Sequence, residues 1–444
     1  MTRLFGTDGV RGIANAELSP ELAFRLGEAA GHFLGERGTG RIVVGRDTRI
    51  SGGMLEAALV SGICSGGADA VLCRIIPTPA VAFLTRQIGA DGGAVISASH
   101  NPAEYNGIKF FDREGFKLPD EVEDEIALFV DAERDWQRPT GAEVGRVEVL
   151  EDAVERYVAH ATGTVEGDLS GMRIVVDCAH GAAAATSPKA LADLGAEVLA
   201  MNDDWDGTDI NEGCGSTHLE VLSAAVREHG ADLGLAHDGD ADRVLAVDEK
   251  GEPVDGDEIM AILALDMKAK GLLRNDVLVV TVMSNIGLEI AMRENGIQVV
   301  KTKVGDRYVL DGMVAGGASL GGEQSGHIIF MDHGTTGDGL VTALKLCATV
   351  RGSGEPLSEL KSVMRRYPQV LVNVPVSDKP GLATSLRITE AVHEAEARVA
   401  DDGRVLVRPS GTEPLVRVMV EAREEPLARE VAESLAAVIA EELG

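Results

Sequence analysis

Aromatic residues are scarce in this chain: they make up 3% of its 444 residues, although 45% of the residues are hydrophobic. Hydrophobic cores must therefore be built mainly from Ala, Val, Leu and Ile. The five cysteines are odd in number, scattered, and form no CxxC pair, which argues against a disulfide framework or a cysteine zinc site and favours a reducing, cytoplasmic compartment. The sequence also lacks an apolar run of the roughly 18 residues that a membrane helix needs, and we expect no signal peptide in MTRLFGTDGVRG.

Positive charge is also in short supply, with 41 Lys and Arg against 72 Asp and Glu and a formal net charge of −31. Nucleic acids and anionic membranes bind basic surfaces, so we expect neither as a partner. An anionic substrate would have to be bound locally by Arg, Lys, backbone N–H groups or metal ions. The length itself predicts several domains.

One pattern occurs three times along the chain: a β-branched run, a helical stretch, a glycine-led second strand, and a third small or apolar run that ends in a polar loop. The first strands begin at Arg41, Arg173 and Asp276, and the second strands at Gly67, Gly195 and Gly296. The three closing runs are ISASHNP, LAHDGDADR and GGEQSGH. This order predicts repeated βαβ units with mixed, mostly parallel sheets. Ligands bind at the carboxyl ends of such strands, so the three loops could converge on one cleft.

Composition changes divide the chain into four predicted domains, residues 1–150, 151–250, 251–366 and 367–444. The first three are predicted α/β domains that carry the three loops. In the fourth, alternating strands and the amphipathic helix ESLAAVIAEEL predict a smaller α+β domain. The predicted fold class is therefore α/β with an α+β C-terminal domain.

The loop DGDADR places Asp238, Asp240 and Asp242 at alternate positions, which suits a hard, oxygen-preferring cation such as Mg²⁺. A calcium EF-hand is excluded because its sixth position is Arg243 and because strands, not helices, flank the loop. A bare acidic turn remains an alternative, but three carboxylates this close repel one another unless a cation compensates.

Three hydrolytic or nucleotide-binding motifs can be set aside. Ser99 and His100 in ISASHNP are chain neighbours, and we expect their side chains to point apart in an extended segment, unlike a hydrolase pair. GASLG, from Gly317, matches a nucleophile elbow, but the GGEQSG that follows will not start a helix. A Walker A loop is excluded because the sequence has no Gly-Lys dipeptide. A serine beside Mg²⁺ could instead carry a phosphoryl group.

Three further loops are rich in glycine and polar residues. GEQSGH, from Gly322, could follow the hydroxyls of a sugar, although a hydrogen-bonded turn explains it equally well. RPSGTEP, from Arg408, combines small residues, hydroxyls and arginines as a phosphate site does, with a plain hairpin turn as the alternative. FGTDGVRG, from Phe5, carries another arginine, but its own spacing does not assign a role to it.

ISASHNP, DGDADR, GEQSGH and RPSGTEP, in this order, resemble the four signature loops of the α-D-phosphohexomutases. With FGTDGVRG and TKVGDRYV, from Thr302, they are similar to the bacterial branch that acts on glucosamine phosphates, and the resemblance covers essentially the whole chain. It implies four domains around a central cleft, in a cytoplasmic isomerase. The implied reaction interconverts glucosamine 6-phosphate and glucosamine 1-phosphate through a phosphoserine enzyme and glucosamine 1,6-bisphosphate, on the route to UDP-N-acetylglucosamine.

The resemblance also implies roles for individual residues. The phosphate on Ser99 would complete a site for one Mg²⁺ per chain with Asp238, Asp240 and Asp242. The residues around the phosphoserine would be Arg11, His100, Lys109 and Arg243. The sugar and the phosphate that is not transferred would be bound by Glu323, Ser325, His327, Arg408, Ser410, Gly411, Thr412 and Arg417.

Several alternatives stay open at this point. A sister mutase acting on glucose or mannose phosphates would use the same loops. A phosphomonoesterase acting through phosphoserine would release free phosphate, which a mutase conserves. A non-catalytic sugar-phosphate sensor would be favoured by a missing loop, and none of the four is missing. The general base is left open among Lys109, His100 and His327. The expected partner is a small sugar phosphate, and a homodimer is compatible with a sequence that does not determine the oligomeric state.

Overall fold

The computed structural model describes residues 3–6, 8–34, 40–132, 137–410 and 413–444. Contacts within the chain divide it into two compact units. The first unit consists of Met1–Met283 and Val299–Ser362, and the second of Ser284–Gln298 and Val363–Gly444.

The first unit begins with a six-stranded sheet in the order β1-β5-β4-β2-β3-β6. Its strands are β1 Val10–Ile13, β2 Arg41–Arg46, β3 Asp69–Ile75, β4 Gly92–Ile96, β5 Tyr105–Asp112 and β6 Val147–Val149. Its helices are α1 Pro20–Phe33, α2 Gly52–Ser65, α3 Thr78–Gln87 and α4 Asp120–Asp131. Helices α1 and α2 pack closely enough that a Cβ at Gly62 would lie 2.0 Å from the carbonyl oxygen of Phe24. Glycine is required there because any side chain would separate the helices.

A five-stranded sheet follows, in the order β11-β10-β9-β7-β8. Its strands are β7 Arg173–Asp177, β8 Glu197–Met201, β9 Leu233–His237, β10 Val244–Asp248 and β11 Pro253–Val254. Its helices are α5 Ala153–Thr162, α6 Ser187–Asp193 and α7 Leu219–His229. The turn EKGEP joins β10 and β11 as a hairpin with Gly251 at φ +83°. The sheet therefore extends past the boundary predicted at residue 250, because this turn belongs to a hairpin of the second sheet.

The third sheet has the order β13-β12-β14-β15. Its strands are β12 Val277–Thr281, β13 Gln298–Thr302, β14 Leu320–Gly322 and β15 Ile328–Phe330. The helices in this part of the chain are α8 Gly256–Ala269, α9 Ile286–Glu294, α10 Asp306–Gly316, α11 Gly339–Ser353 and α12 Leu357–Leu360.

The same strand order recurs in all three sheets. The sequences β3-β2-β4-β5, β8-β7-β9-β10 and β13-β12-β14-β15 are equivalent, and in each the fourth strand runs antiparallel to the third. The predicted threefold repetition and the predicted fold class are therefore confirmed. The three polar loops follow equivalent strands, β4, β9 and β14.

The second unit contains an antiparallel sheet in the order β16-β18-β17. Its elements are β16 Gln369–Pro375, β17 Arg404–Pro409, β18 Leu415–Glu421, α13 Leu386–Val399 and α14 Glu425–Leu443. Alternate residues of β18, such as Val416 and Val418, lie in one core with Val431 and Leu435 of α14. The unit has the predicted α+β architecture.

Helix α9 also belongs to the second unit, and its N-terminus is anchored there. The side chain of Asn285 donates to the carbonyl oxygen of Tyr367 over 2.9 Å, and the buried carboxylate of Glu421 accepts the N–H of Ile286 over 3.0 Å. Over the described parts of the chain, no helix combines the length and the apolar character that crossing a bilayer requires. All five cysteines are free and buried.

Candidate active site

The loop after β4 buries Ser99 in an unusual backbone conformation. Ser99 has φ +55°, in the left-handed region that non-glycine residues rarely adopt. Its hydroxyl donates to Oδ2 of Asp238 over 2.6 Å and lies 3.2 Å from Nδ1 of His100. The expectation that Ser99 and His100 point apart is wrong, because the segment is not extended at Ser99. The shorter hydrogen bond nevertheless joins the serine to an aspartate of the DGDADR loop.

That loop brings three buried carboxylates together between β9 and β10. One potential ligand oxygen from each of Asp238, Asp240 and Asp242 lies within 4.8 Å of the others. Oδ1 of Asp240 and Oδ1 of Asp242 are buried and have no hydrogen-bond partner in the part of the chain that the structure describes. Burying anionic oxygens without partners is costly, and an oxygen-only set of donors suits a hard divalent cation. The cluster is a candidate metal site.

The pKa of Asp238 also favours a bound cation. Burial, together with the charges of Asp242 and Asp240, raises the pKa of Asp238 well above its ordinary value. Burial would also raise the pKa of Asp242, but the imidazole of His327 and the ammonium of Lys109 lower it below its usual range. A bound cation would relieve the repulsion that raises the pKa of Asp238.

Cationic side chains surround the carboxylates. The buried Nζ of Lys109 lies 3.1 Å from Oδ2 of Asp240 and 3.0 Å from Oδ2 of Asp8. Burial lowers the pKa of Lys109, but these acids outweigh it and raise the pKa above the ordinary value. Arg11 pairs with Asp8, and Nε of Arg243 lies 3.6 Å from Oδ1 of Asp242.

The two histidines of the site differ in their surroundings. Burial, followed by the charge of Arg243, lowers the pKa of His100, so this imidazole is neutral at pH 7. His327 is 2% exposed, and both of its ring nitrogens face protein atoms. Its Nε2 accepts the N–H of Gly337 over 3.0 Å, which leaves the proton on Nδ1, 3.5 Å from Oδ2 of Asp242. His327 thus supports the aspartate cluster in this structure.

The loop between β14 and β15 carries the predicted sugar contacts. Oε1 of Glu323 accepts the N–H of Gly305 over 3.1 Å. The Oγ of Ser325 is buried without a hydrogen-bond partner among the described residues. A Cβ at Gly326, which has φ +90°, would lie 2.3 Å from the carbonyl oxygen of Val244, so only glycine fits this turn.

In the second unit, Arg408 near the end of β17 lies directly opposite Arg417 of β18. Like charges at facing positions of antiparallel strands repel, so this arrangement is typical of a site that binds an anion. Ser410 follows, and its hydroxyl accepts the N–H of Glu413 over 3.3 Å. The carboxylate of Glu413 lies 3.2 Å from Nη2 of Arg417. The predicted residues Gly411 and Thr412 lie outside the described residues.

Sequence analysis missed two groups that hold this site. The first is Asp47 and Arg49 in the segment DTR, which directly follows β2; charged residues at the carboxyl end of a buried strand were the available signal. The second is Thr78 at the start of α3. Its hydroxyl donates to Oδ2 of Asp240 over 2.6 Å, and its N–H to the carbonyl oxygen of Asp240 over 2.9 Å. Nothing in the local sequence around Thr78 indicates this role.

Comparison with protein families covers nearly the whole chain. Residues 2–136, 155–251 and 255–367 match the models of the alpha/beta/alpha domains I, II and III of phosphoglucomutase/phosphomannomutase, and residues 371–438 match that of its C-terminal domain. Among solved structures, a phosphoglucomutase/phosphomannomutase family protein from Burkholderia thailandensis is 24% identical, with a TM-score of 0.81 over 99% of this chain and 97% of its own. The Aspergillus fumigatus N-acetylphosphoglucosamine mutase in complex with GlcNAc-6P and magnesium is 18% identical, with a TM-score of 0.68 over 99% and 96% of the two chains.

Curated relatives are much more similar in sequence. The phosphoglucosamine mutase of Symbiobacterium thermophilum is 58% identical over 447 residues, which cover 100% of both chains. That of Desulforamulus reducens is 56% identical over 441 residues, or 99% of each chain. This chain belongs to the phosphoglucosamine mutases of the phosphoglucomutase/phosphomannomutase family.

Proposed function

We propose that this protein is an isomerase that interconverts glucosamine 6-phosphate and glucosamine 1-phosphate, with Ser99 as the phosphoryl carrier. The observation that carries this proposal is the 2.6 Å hydrogen bond from the Ser99 hydroxyl to Asp238, inside a cluster of three buried aspartates. A serine needs such surroundings to exchange a phosphoryl group, because the charge on the transferring oxygens must be offset. The names of the relatives that share over half of this sequence support the amino-sugar substrate.

The ion that we propose for the cluster is Mg²⁺, held by Asp238, Asp240, Asp242 and an oxygen of the phosphate on Ser99. The donor set is all oxygen, and two of the buried oxygens accept no hydrogen bond from any described residue, which fits a small, hard cation. When bound, the ion would offset negative charge on the transferring phosphoryl group.

In the first step, the bond between phosphorus and the Ser99 oxygen breaks, and a bond to the free hydroxyl of the sugar phosphate forms. The proton of the sugar hydroxyl passes to a general base, and the Ser99 oxygen takes up a proton as it leaves phosphorus. The products are glucosamine 1,6-bisphosphate and the free Ser99 hydroxyl. The raised pKa of Lys109 suits it to stabilise negative charge as a cation, and we place Arg11 and Arg243 in the same role. His100, whose pKa is lowered, is the candidate for the base. His327 does not fit that role, because its Nε2 lone pair already accepts the N–H of Gly337.

In the second step, the bisphosphate has turned over and returns its other phosphate to Ser99. Throughout, the phosphate that is not transferred must be held in two substrate orientations. We propose Arg408, Ser410, Gly411, Thr412 and Arg417 for this task, because arginines and small residues recognise a phosphate without requiring one sugar pose.

Glu323 and Ser325 are proposed to bind the sugar hydroxyls. The Ser325 hydroxyl has no hydrogen-bond partner among the described residues and is available to a ligand. We also propose a division into four domains near residues 150 and 366 and, between the second and third domains, after β11 rather than at residue 250, and a cytoplasmic location.

Thr78 should influence metal binding although it is not proposed as a ligand. Thr78→Val removes the hydroxyl that holds Oδ2 of Asp240 and should weaken Mg²⁺ binding by roughly 10- to 100-fold, as loss of a residue that orients a metal ligand does. Thr78→Ser, which keeps the hydroxyl, should bind Mg²⁺ within a few-fold of wild type. Isothermal titration calorimetry on both variants measures this. Equal affinity in the valine and serine variants would contradict the role given to Thr78.

The proposed reaction is tested by incubating the purified protein with Mg²⁺, a trace of glucose 1,6-bisphosphate, and glucosamine 6-phosphate, glucose 6-phosphate or mannose 6-phosphate in separate reactions. We expect faster formation of the 1-phosphate from the amino sugar, without release of inorganic phosphate. Faster turnover of glucose 6-phosphate or mannose 6-phosphate would favour the sister mutases. Stoichiometric release of inorganic phosphate would indicate a phosphomonoesterase instead.

A further inference from the structure

Both backbone polar groups of Ser99 are held by neighbouring side chains. Its N–H donates to the Oγ of Ser97 over 2.9 Å. Its carbonyl oxygen accepts hydrogen bonds from Nη2 of Arg49 over 2.9 Å and from Nδ2 of Asn211 over 3.0 Å. A left-handed conformation at a non-glycine residue is strained and persists only where the surroundings enforce it. The partners of Ser99 are therefore the groups that set its geometry.

Arg49 makes the largest contribution to this loop. Its side chain is 0% exposed, and all five of its N–H donors have partners. Nε donates to Oδ2 of Asp47 over 2.9 Å. The other four donate to carbonyl oxygens of the serine loop, those of Ser99, Asn101, Pro102 and Tyr105. The guanidinium is thus a rigid template around which residues 99–105 are wrapped.

Asp47 connects this template to the other side of Ser99. Its Oδ2 accepts the hydroxyl of Ser97 over 2.6 Å as well as Nε of Arg49, and its Oδ1 accepts the N–H of Arg49 over 3.0 Å. Asp47 is 0% exposed, so it compensates a guanidinium that would otherwise be a buried, unpaired charge. A continuous path runs from the N–H of Ser99 through Ser97, Asp47 and Arg49 back to the carbonyl oxygen of Ser99.

We infer that Arg49, held by Asp47, is a positioning residue for phosphoryl transfer: it fixes Ser99 so that Oγ points at the aspartate cluster. The inference rests on the proposed function, since it assigns Ser99 the role of phosphoryl carrier. Arg49 touches neither Asp238 nor the Ser99 hydroxyl, and it acts through the backbone of the loop. Lysine cannot replace it, because an ammonium offers three donors in place of a planar fork of five.

The test compares Arg49→Lys with Arg173→Lys, a control in which an exposed arginine pairs with Glu197 over 3.1 Å. Arg49→Lys should lower kcat by about 100-fold, the effect of an ångström-scale misplacement of a reacting group. KM for the sugar phosphate should change less than about 3-fold, because the residues proposed to bind the substrate are untouched. Arg173→Lys should leave both constants unchanged. A role confined to stability would lower the melting temperature and leave kcat per folded enzyme as it is.

Ser97→Ala provides a second route, in case Arg49→Lys does not fold. It keeps the ion pair of Arg49 and Asp47 but removes the acceptor for the N–H of Ser99, and we expect kcat to fall by about 10-fold at an unchanged KM. Wild-type kcat in Ser97→Ala, or in a folded Arg49→Lys enzyme, would overturn the inference, as would a loss confined to KM.

The failure of the inference can be told apart from failure of the proposed function. Wild-type protein that does not isomerise glucosamine 6-phosphate would contradict the function. The transfer of a phosphoryl group from glucose 1,6-bisphosphate to Ser99, followed by intact mass, does not depend on the amino sugar. Slower labelling of Arg49→Lys than of wild type would support the inference even then, and equal labelling rates would overturn it.

Discussion

A Ser99→Ala enzyme is expected to lose isomerase activity by roughly 10⁴-fold or more, the scale seen when a covalent nucleophile is removed, and to carry no phosphoryl group. The hydroxyl oxygen of Ser99 is the atom to which the phosphoryl group is bound between the two steps, and alanine offers no substitute. Added glucose 1,6-bisphosphate should not restore activity, because the bisphosphate can only return its phosphate to Ser99. The assay measures glucosamine 1-phosphate formation, together with the intact mass of both proteins.

The fold should survive this substitution, which makes the loss interpretable. Ser99 donates one buried hydrogen bond through its side chain, worth about 1 to 2 kcal/mol with its charged acceptor Asp238, and the loop is held by its backbone. Ser61→Ala, which removes an exposed hydroxyl from α2, is the matched control and should be fully active. A phosphoryl adduct on Ser97, or an active Ser99→Ala enzyme, would contradict the assignment of Ser99.

The threefold repetition was predictable because it rests on short-range patterns. β-branched runs such as RIVV at the start of β2 favour strands through their local propensity, and the glycine-led runs mark the second strand of each unit. The boundary between the second and third domains was less predictable, because EKGEP forms a turn whether it links the two domains or closes a hairpin within the second sheet. The pairing of Ala246 with Val254 and of Val247 with Pro253 shows that this turn closes a hairpin of the second sheet.

The site was predictable to the extent that its residues are neighbours in the sequence. The alternation of Asp238, Asp240 and Asp242 can be read directly. The contacts that hold them cannot, because Thr78 and Asp240 are separated by 162 positions, and Arg49 and Ser99 by 50. The left-handed conformation of Ser99 follows from those distant contacts, so a prediction made from the local segment alone gave the wrong direction for its side chain.

Asp238→Asn is expected to abolish Mg²⁺ binding without weakening the metal-free protein. Burial and the charges of Asp242 and Asp240 raise the pKa of Asp238. The charged form at neutral pH therefore costs stability, and this cost is lost only as the pH falls through the raised pKa. Asparagine is neutral and keeps one acceptor oxygen for the Ser99 hydroxyl. In EDTA, the variant should melt at or above the temperature of wild type.

The addition of Mg²⁺ should affect the stability of wild type and of Asp238→Asn differently. At a Mg²⁺ concentration 100 times the dissociation constant, wild type should gain about 2.7 kcal/mol in free energy of unfolding, and Asp238→Asn should gain none. Isomerase activity should be lost together with the metal-dependent gain. Asp193→Asn, which neutralises an exposed carboxylate paired with Lys189 on α6, should behave as wild type in both measurements. Mg²⁺-dependent stabilisation of Asp238→Asn would show that the ion binds elsewhere, because an amide in place of this carboxylate removes a charged ligand from the aspartate cluster.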